Sequence, residues 1–351
     1  MSEGGQRSPQ LVLFSSAEPE CPRPRRGRPP KTPKFLETVA SSPDENSLAE
    51  IAAQVHSGLC QTALPYSKLA DNSKAWERKG IGATLTITPG YARRIEGGER
   101  IPVGVPYGAR ARLIMIYIQT LGIRNRVVPL GPSMSGWMKS LGLSVTGGRK
   151  GTISEVKEQI LRLANCNMII EVQERRKGGL VTTEHRAAIA SGLQLWAAAP
   201  GREQWPTEIE LDAKFHEHLC ANAVTLDRAA VASLSSHALG LDLYATLAHW
   251  LPRIDKPMAT SWSQLVQAFG SDGERPSDFA RRLRNVMPAV AKAYPDARLD
   301  IGRNGLLLYP SPPSVKGSQV GWSRENRMLI EGQVAAREIR VLGSFVWMTL
   351  D

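Results

Sequence analysis

An α+β fold of tandem winged-helix domains, preceded by a disordered basic arm, is the fold class that the sequence predicts. Residues 107–196 and 236–309 carry the prediction, because both follow one order of elements. That order is an apolar helix, a short helix, a Gly/Ser-rich turn, a basic helix and a strand pair with a Gly-rich tip. A helical core with one polar helix beside a β wing is typical of modules that place this helix in the DNA major groove.

Composition favours a polyanionic partner. The 351 residues allow two or three domains, and the formal net charge of +11 favours nucleic acid ahead of an anionic membrane surface. The cysteines form no CxxC pair, which argues against disulfides and structural zinc and fits a reducing cytoplasm. We expect no signal peptide and no membrane span, because apolar runs such as Leu113–Ile118 are too short.

The chain divides into five segments by composition and periodicity. Residues 1–45 are rich in Pro, Ser, Gly and charge and are expected to be a disordered basic arm. Residues 46–99 are a linker with an amphipathic helix from Ser47 to Leu59 and a strand from Ile81 to Thr88. The first winged-helix domain covers residues 100–198, the second residues 199–313, and the C-terminal tail residues 314–351.

In the first domain, apolar residues at helical spacing predict the first helix, and a short second helix is predicted from Met134 to Leu141. Thr152 with Glu155 forms a capping-box pattern that begins the third helix. Its expected inner face is Ile153, Val156, Ile160 and Ala164, and its expected outer face is Glu155, Glu158, Gln159 and Arg162. Wing strands are predicted at Asn167–Gln173 and His185–Trp196, with a basic tip that contains Arg175, Arg176 and Lys177.

The second domain repeats the plan after a strand at Glu208–Leu211. Helices are predicted from Ser236 to Leu251, from Trp262 to Phe269 and from Pro276 onward. The last one places Phe279, Leu283, Val286 and Val290 inward and Arg281, Arg284 and Asn285 outward, with Arg282 on the flank. The strands Arg298–Ile301 and Leu306–Tyr309 pair through a Gly-Arg-Asn-Gly turn that contains Arg303.

The N-terminal arm contains a motif that resembles the AT-hook, at Arg25, Arg26, Gly27, Arg28, Pro29 and Lys31. Glycine lets an extended backbone enter the narrow minor groove of A·T DNA, and the arginines follow its negative potential. An ordinary basic tail that binds any polyanion is the alternative.

The glycine-rich turn before Thr152 lacks the order of a nucleotide-binding P-loop, since Lys150 precedes Gly151. The turn suits a DNA phosphate held at a helix N-terminus with the charges of Arg149 and Lys150. A helix–helix turn with solvated charges is the alternative.

The outward face of the second domain's last helix is the stronger candidate for base reading. Arginine pairs with guanine and asparagine with adenine through two hydrogen bonds each. A solvated charge stripe is the alternative. His216, His218 and Cys220 are expected to be surface residues without metal, so the sequence predicts no cofactor and no catalytic site.

An ordered set of short motifs over residues 100–313 resembles plasmid-encoded RepA-type replication initiators. The motifs are Tyr107–Ile114, Leu141–Thr152, Trp205–Glu208, Ala223–Asp227, Leu239–Tyr244, Ser261–Trp262, Phe269–Gly270, Tyr294–Ala297 and Leu306–Pro312. The resemblance implies a bacterial cytoplasmic protein, associated with plasmid and nucleoid, that binds repeated sites at a replication origin and helps to open it. It also implies host partners such as the replicative helicase. One of the two domains could serve in self-association rather than in base reading. A transcriptional repressor of the same fold is the first alternative, and a DNA-nicking enzyme is the second.

Overall fold

The computed structural model describes residues 52–93, 99–148, 151–176, 179–188, 190–192 and 208–318. Helices and antiparallel strands are mixed along these ranges, which confirms the α+β class. The strands are β1 Ala52–His56, β2 Trp76–Lys79, β3 Ala83–Thr88, β4 Tyr91–Arg93, β5 Arg100–Pro102, β6 Val127–Pro129, β7 Asn167–Arg176, β8 Gly179–Ala188, β9 Ala190–Gly192, β10 Glu208–Leu211, β11 Ala223–Asp227, β12 Met258–Ser261, β13 Leu299–Ile301 and β14 Gly305–Leu308. The α-helices are α1 Gly108–Gly122, α2 Met134–Ser140, α3 Thr152–Asn165, α4 Ala213–Asn222, α5 Arg228–Ser233, α6 Ala238–Trp250, α7 Trp262–Phe269 and α8 Pro276–Ala293.

Within the described ranges, none of the helices combines the length and the apolar character that a membrane crossing requires.

The predicted helix from Ser47 to Leu59 is wrong for the residues that the structure describes. Residues 52–56 form β1, which pairs antiparallel with β11 from Ala52 opposite Asp227 to His56 opposite Ala223. Four of its five residues are buried, so both faces of the strand are covered. A short apolar run buried on both sides fits a strand as well as a helix, and the distant partner strand decides between them.

Helix α1 lies between two hydrophobic cores and contributes side chains to both. Leu113 and Ile116 pack in the core that contains Phe279 and Leu283 of α8. Ala111, Ile114, Met115, Tyr117 and Ile118 pack in the other core, around Leu85 and Val156. Most positions of α1 are buried, so the helix is covered on all sides and connects the two cores.

A buried ion pair joins α1 to α6. The Arg112 guanidinium donates from Nε and Nη2 to the two carboxylate oxygens of Asp242, both at 2.7 Å. The same guanidinium donates to the carbonyl oxygens of Leu64, Gly108 and Pro65 at 2.8, 2.9 and 3.3 Å. The Arg112 side chain is 5% exposed and that of Asp242 10%, so the relative position of the two helices is fixed by a desolvated, fully bonded pair.

Residues 76–211, called the first unit below, form two larger sheets and the two-stranded sheet β4-β5. One has the order β2-β3-β7-β8, so the predicted β7–β8 hairpin extends a sheet that begins with β2 and β3. The hairpin is longer than predicted, with β8 beginning at Gly179 rather than at His185. The other sheet has the order β6-β10-β9.

Residues 238–308, called the second unit below, follow the predicted order closely, with strand β12 in addition. Helix α6, strand β12, helices α7 and α8, and strands β13 and β14 succeed one another, and the sheet order is β12-β14-β13. Helix α8 continues through Pro288 to Ala293. Pro288 lies on the exposed side of the helix, where the loss of one backbone hydrogen bond is compatible with the helix.

Candidate nucleic-acid interface

Helix α8 presents a polar face to solvent and an apolar face to the core. Phe279, Leu283 and Val290 are at most 1% exposed, and Met287 is 3% exposed. Arg281, Arg284 and Asn285 are exposed, as predicted, because positions three and four apart share one side of a helix. Val286, predicted to point inward, is half-buried against the same core.

Arg282 does not share this outward face. Its guanidinium donates to both carboxylate oxygens of Glu274 at 2.9 and 2.6 Å and to the Phe269 carbonyl oxygen at 3.1 Å. It also lies 5.1 Å from the ring centroids of Tyr66 and Phe279. A guanidinium bonded in this way holds the start of α8 in place, and we therefore remove Arg282 from the candidate interface.

The Glu274 carboxylate that receives Arg282 lies in the turn before α8. Burial raises the pKa of Glu274, but hydrogen bonds from Arg282 and from the Ser271 amide outweigh that effect and hold the pKa below its ordinary value. Glu274 is ionised at neutral pH and fixes the arginine. The sequence shows both residues, but nothing in their spacing indicates the contact.

Arg281 and Arg284 have different surroundings. Arg281 contacts Asp278 at 3.0 Å, with side chains 76% and 49% exposed. A pair this exposed contributes little and is easily exchanged for another anion. The Arg284 guanidinium carbon lies 5.3 Å from the ring centroid of Trp262, the first residue of α7.

The β13–β14 turn lies beside the start of α7. The Gly302 amide donates to the Gly305 carbonyl oxygen at 2.8 Å and closes the turn, and Arg303 is exposed at its tip. A Cβ on Gly305 would lie 1.9 Å from the Thr260 carbonyl oxygen, so only glycine fits at this position. The predicted Gly-Arg-Asn-Gly turn is confirmed, and its arginine is available to a ligand.

In the first unit, the expectation that Gln159 and Arg162 of α3 point outward is wrong. Arg162 is 1% exposed, and its guanidinium donates to Val105 O, Glu158 and Asn72 at 2.8, 2.8 and 3.2 Å. Gln159 is 3% exposed and accepts a hydrogen bond from the Tyr107 amide at 2.9 Å. Residues 66–72 and 105–107 cover this side of α3, and Arg162 is removed from the candidate interface.

The turn before α3 is held by threonine hydroxyl groups. Gly151 is the N-cap, so the prediction that Thr152 caps the helix is wrong. The Thr152 hydroxyl donates to the Ser144 carbonyl oxygen at 2.6 Å and accepts from the Thr146 amide at 3.0 Å. These bonds fix the turn against the preceding segment.

Several predicted site residues lie outside the described residues, and their DNA-binding role stays a prediction. They are Arg25, Arg26, Gly27, Arg28, Pro29 and Lys31 of the arm, Arg149 and Lys150 of the turn, and Lys177 of the hairpin tip. Arg175 and Arg176 end strand β7, and their side chains lie outside the described part as well.

The histidines near the start of α4 do not form a metal site in the described ranges. His218 Nδ1 lies 3.3 Å from Nε2 of the buried His56, and His216 Nε2 lies 3.6 Å from Cys220 Sγ. No group of three or more His, Cys, Asp or Glu residues suited to a metal ion occurs in the described part of the chain.

An exposed basic helix beside an arginine-bearing turn defines a candidate nucleic-acid-binding protein. The family model of the plasmid-encoded RepA protein matches residues 105–264, and this part of the chain is similar to that family. The match confirms the predicted resemblance and supports a role in replication initiation.

Two crystal structures of RctB are similar to the chain. A selenomethionine derivative of its domains 2 and 3 has 12% sequence identity and a TM-score of 0.43, covering 69% of this chain and 88% of that chain. A second structure of these domains has 13% identity and a TM-score of 0.38, covering 65% and 81%. No curated protein matches the chain significantly.

Proposed function

We propose that the protein is a plasmid replication initiator that binds repeated sites at an origin through two winged helices, at residues 100–198 and 199–313. Binding then promotes origin opening and the loading of the replisome. The observation that carries the proposal is the outward face of α8, where Arg281, Arg284 and Asn285 are exposed over an apolar, buried side.

The second unit supports the proposal best. Its element order and its β12-β14-β13 sheet are those expected of a winged helix. Helix α8 has 18 residues, so it is about 27 Å long and, with its side chains, about 10–12 Å across, which fits a major groove about 12 Å wide. In this arrangement Arg281 and Arg284 read guanine, Asn285 reads adenine, and Arg303 contacts a phosphate.

The first unit contributes mainly contacts to the DNA backbone in this proposal. Its helix α3 directs Gln159 and Arg162 into the protein, and its partly exposed side includes Ser154, Lys157 and Leu161. The glycine-rich turn at Arg149 and the hairpin tip at Lys177 then supply its phosphate contacts. The N-terminal arm adds a minor-groove contact on A/T-rich flanks.

The experiment that tests DNA recognition is a gel-shift series on origin fragments and scrambled DNA over several salt concentrations. The wild-type protein is expected to prefer the origin, with a salt slope of about −0.9 for each neutralised phosphate. Replacing Arg281→Ala and Arg284→Ala together is expected to reduce the preference about 5- to 150-fold for each lost base contact.

The matched control removes two exposed charges from other elements, with Arg124→Ala and Lys214→Ala. We expect it to weaken binding to both DNAs alike and to leave the preference unchanged. Full preference in the α8 variant would contradict the assignment of this helix. Equal affinity of the wild-type protein for both DNAs would contradict sequence-specific binding.

A maintenance assay separates an initiator from a repressor of the same fold. A plasmid whose only copy of the gene carries Arg281→Ala and Arg284→Ala is expected to be lost from dividing cells. Expression of the wild-type protein from a second replicon is expected to restore it. Normal maintenance without a functional gene, with only altered transcription, would contradict the initiator role.

A further inference from the structure

Trp262 connects the exposed helix face to the β13–β14 turn. Its indole Nε1 donates to the Arg303 carbonyl oxygen at 2.9 Å, and its backbone amide donates to the Asn304 carbonyl oxygen at 3.1 Å. Both acceptors are in the turn, so this tryptophan binds the two central residues of the tip. The side chain of Arg303 stays exposed while its carbonyl group is held.

The face of the same indole receives the side chain of Arg284. The guanidinium carbon lies 5.3 Å from the ring centroid, within the range of a cation–π contact. Tryptophan is the strongest aromatic partner for such a contact. The exposed arginine of α8 is therefore held against a ring that is itself only 8% exposed.

The turn can come this close to α7 because of the strand register. Ser261 pairs with Gly305 and Thr260 with Leu306, which brings the turn directly beside the start of α7. The Ser261 capping box with Gln264 then fixes the first turn of that helix and with it the backbone of Trp262. The indole is positioned by both neighbouring elements before any ligand binds.

We propose that Trp262 is a positioning residue for DNA recognition, one that sets the distance between a base contact of Arg284 and a phosphate contact of Arg303. This inference rests on the proposed function. A buried tryptophan needs an acceptor for its Nε1 proton in any case, and here that acceptor is in the turn while an arginine lies on the ring face. With both present, the helix and the turn are preorganised as one surface, which lowers the ordering cost of binding.

The experiment is a double-mutant cycle of Trp262→Phe and Arg303→Ala, measured by binding to origin DNA over a salt series. Phenylalanine keeps an aromatic face for Arg284 and removes the Nε1 donor. The single variant Trp262→Phe is expected to weaken binding about 5-fold, the effect of one ordinary hydrogen bond. It is also expected to flatten the salt slope by about 0.9, the loss of one phosphate.

In the Arg303→Ala background the same substitution is expected to change affinity less than twofold, since the contact that it positions is already gone. An equal effect in both backgrounds, or no effect in either, would overturn the proposal. The control is Trp137→Phe, at a tryptophan of α2 that is 3% exposed and packs edge-on against Tyr117. This control is expected to leave the salt slope unchanged.

A second pair of variants covers the case in which Trp262→Phe lowers the melting temperature. Arg284→Ala and Arg303→Ala both alter exposed side chains and leave the core intact. Because the indole connects the two elements that carry these side chains, their combined loss of affinity is expected to be smaller than the sum of the single losses. Strict additivity would count against the role of Trp262, while a wild-type protein without origin preference would contradict the proposed function itself.

Discussion

Removing Arg112 from the buried pair with Asp242 is expected to destabilise the protein strongly. The guanidinium donates two bonds to the carboxylate and three to the carbonyl oxygens of Leu64, Pro65 and Gly108, at distances from 2.7 to 3.3 Å. Arg112→Met would leave a carboxylate that is 10% exposed without its cation. Breaking a buried pair from one side costs about 3–5 kcal/mol, because the remaining charge stays desolvated.

The free energy of unfolding can be measured by urea titration at neutral pH, followed by circular dichroism. We expect Arg112→Met and Asp242→Leu each to lower it by about 3–5 kcal/mol, and the double variant to be more stable than either single variant. The double variant removes both charges and leaves an apolar contact between α1 and α6, so the burial penalty disappears.

The control for this experiment is Asp278→Ala, which breaks the exposed pair with Arg281. The side chains of Asp278 and Arg281 are 49% and 76% exposed, and we expect this variant to lower the free energy of unfolding by less than about 1 kcal/mol. If Arg112→Met cost no more than this control, the pair would not hold α1 against α6. A double variant less stable than both singles would refute the argument from an uncompensated charge.

Three further predictions concern reactivity, acid stability and the β13–β14 turn. Burial raises the pKa of the Cys60 thiol to about 12, whereas Cys220 is exposed. Iodoacetamide at pH 8 is therefore expected to label Cys220 before Cys60. Equal labelling rates of the two cysteines, measured by peptide mass spectrometry, would contradict this. The pKa of Glu274 is held below its ordinary value, so its contribution to stability is complete above the ordinary glutamate range and is lost as the pH falls below it. Glu274→Gln is expected to make the urea midpoint of unfolding depend less on pH in the acid range. A midpoint that varies with pH as it does in the wild-type protein would count against the contact. Gly305→Ala is expected to lower the melting temperature and weaken DNA binding, while Gly147→Ala, with open space around it, should leave the melting temperature unchanged; equal losses of melting temperature at both sites would contradict the close approach.

The sequence predicts α8 well because its environment is simple. One side faces a single apolar core and the other faces solvent, so a period of 3.6 residues separates Phe279 and Leu283 from Arg281 and Arg284. The β13–β14 turn is equally clear, since two glycines and an asparagine are local signals that need no distant partner.

The errors arise where distant segments decide the structure. Helix α3 is covered on a second side by residues 66–72 and 105–107, and Arg162 is bonded there to Asn72 and Val105. The hydrophobic periodicity of α3 does not indicate that other segments pack on this side of the helix, so the sequence predicts that Arg162 is exposed although it is buried. Strand β1 depends in the same way on β11, and Trp262 gives no local sign that Arg284 lies on its ring.

The pairing of β1 with β11 also bears on how the protein is made. Arg228 donates to the carbonyl oxygen of Ala52 across 176 residues of chain. While the ribosome is still producing the segment between β1 and β11, strand β1 has no partner strand with which to pair. Contacts between positions so far apart in the sequence also form slowly. A fragment that starts after residue 56 would leave Val224 and Leu226 without their cover, so expression of residues 57–351 by themselves is expected to give an aggregating product.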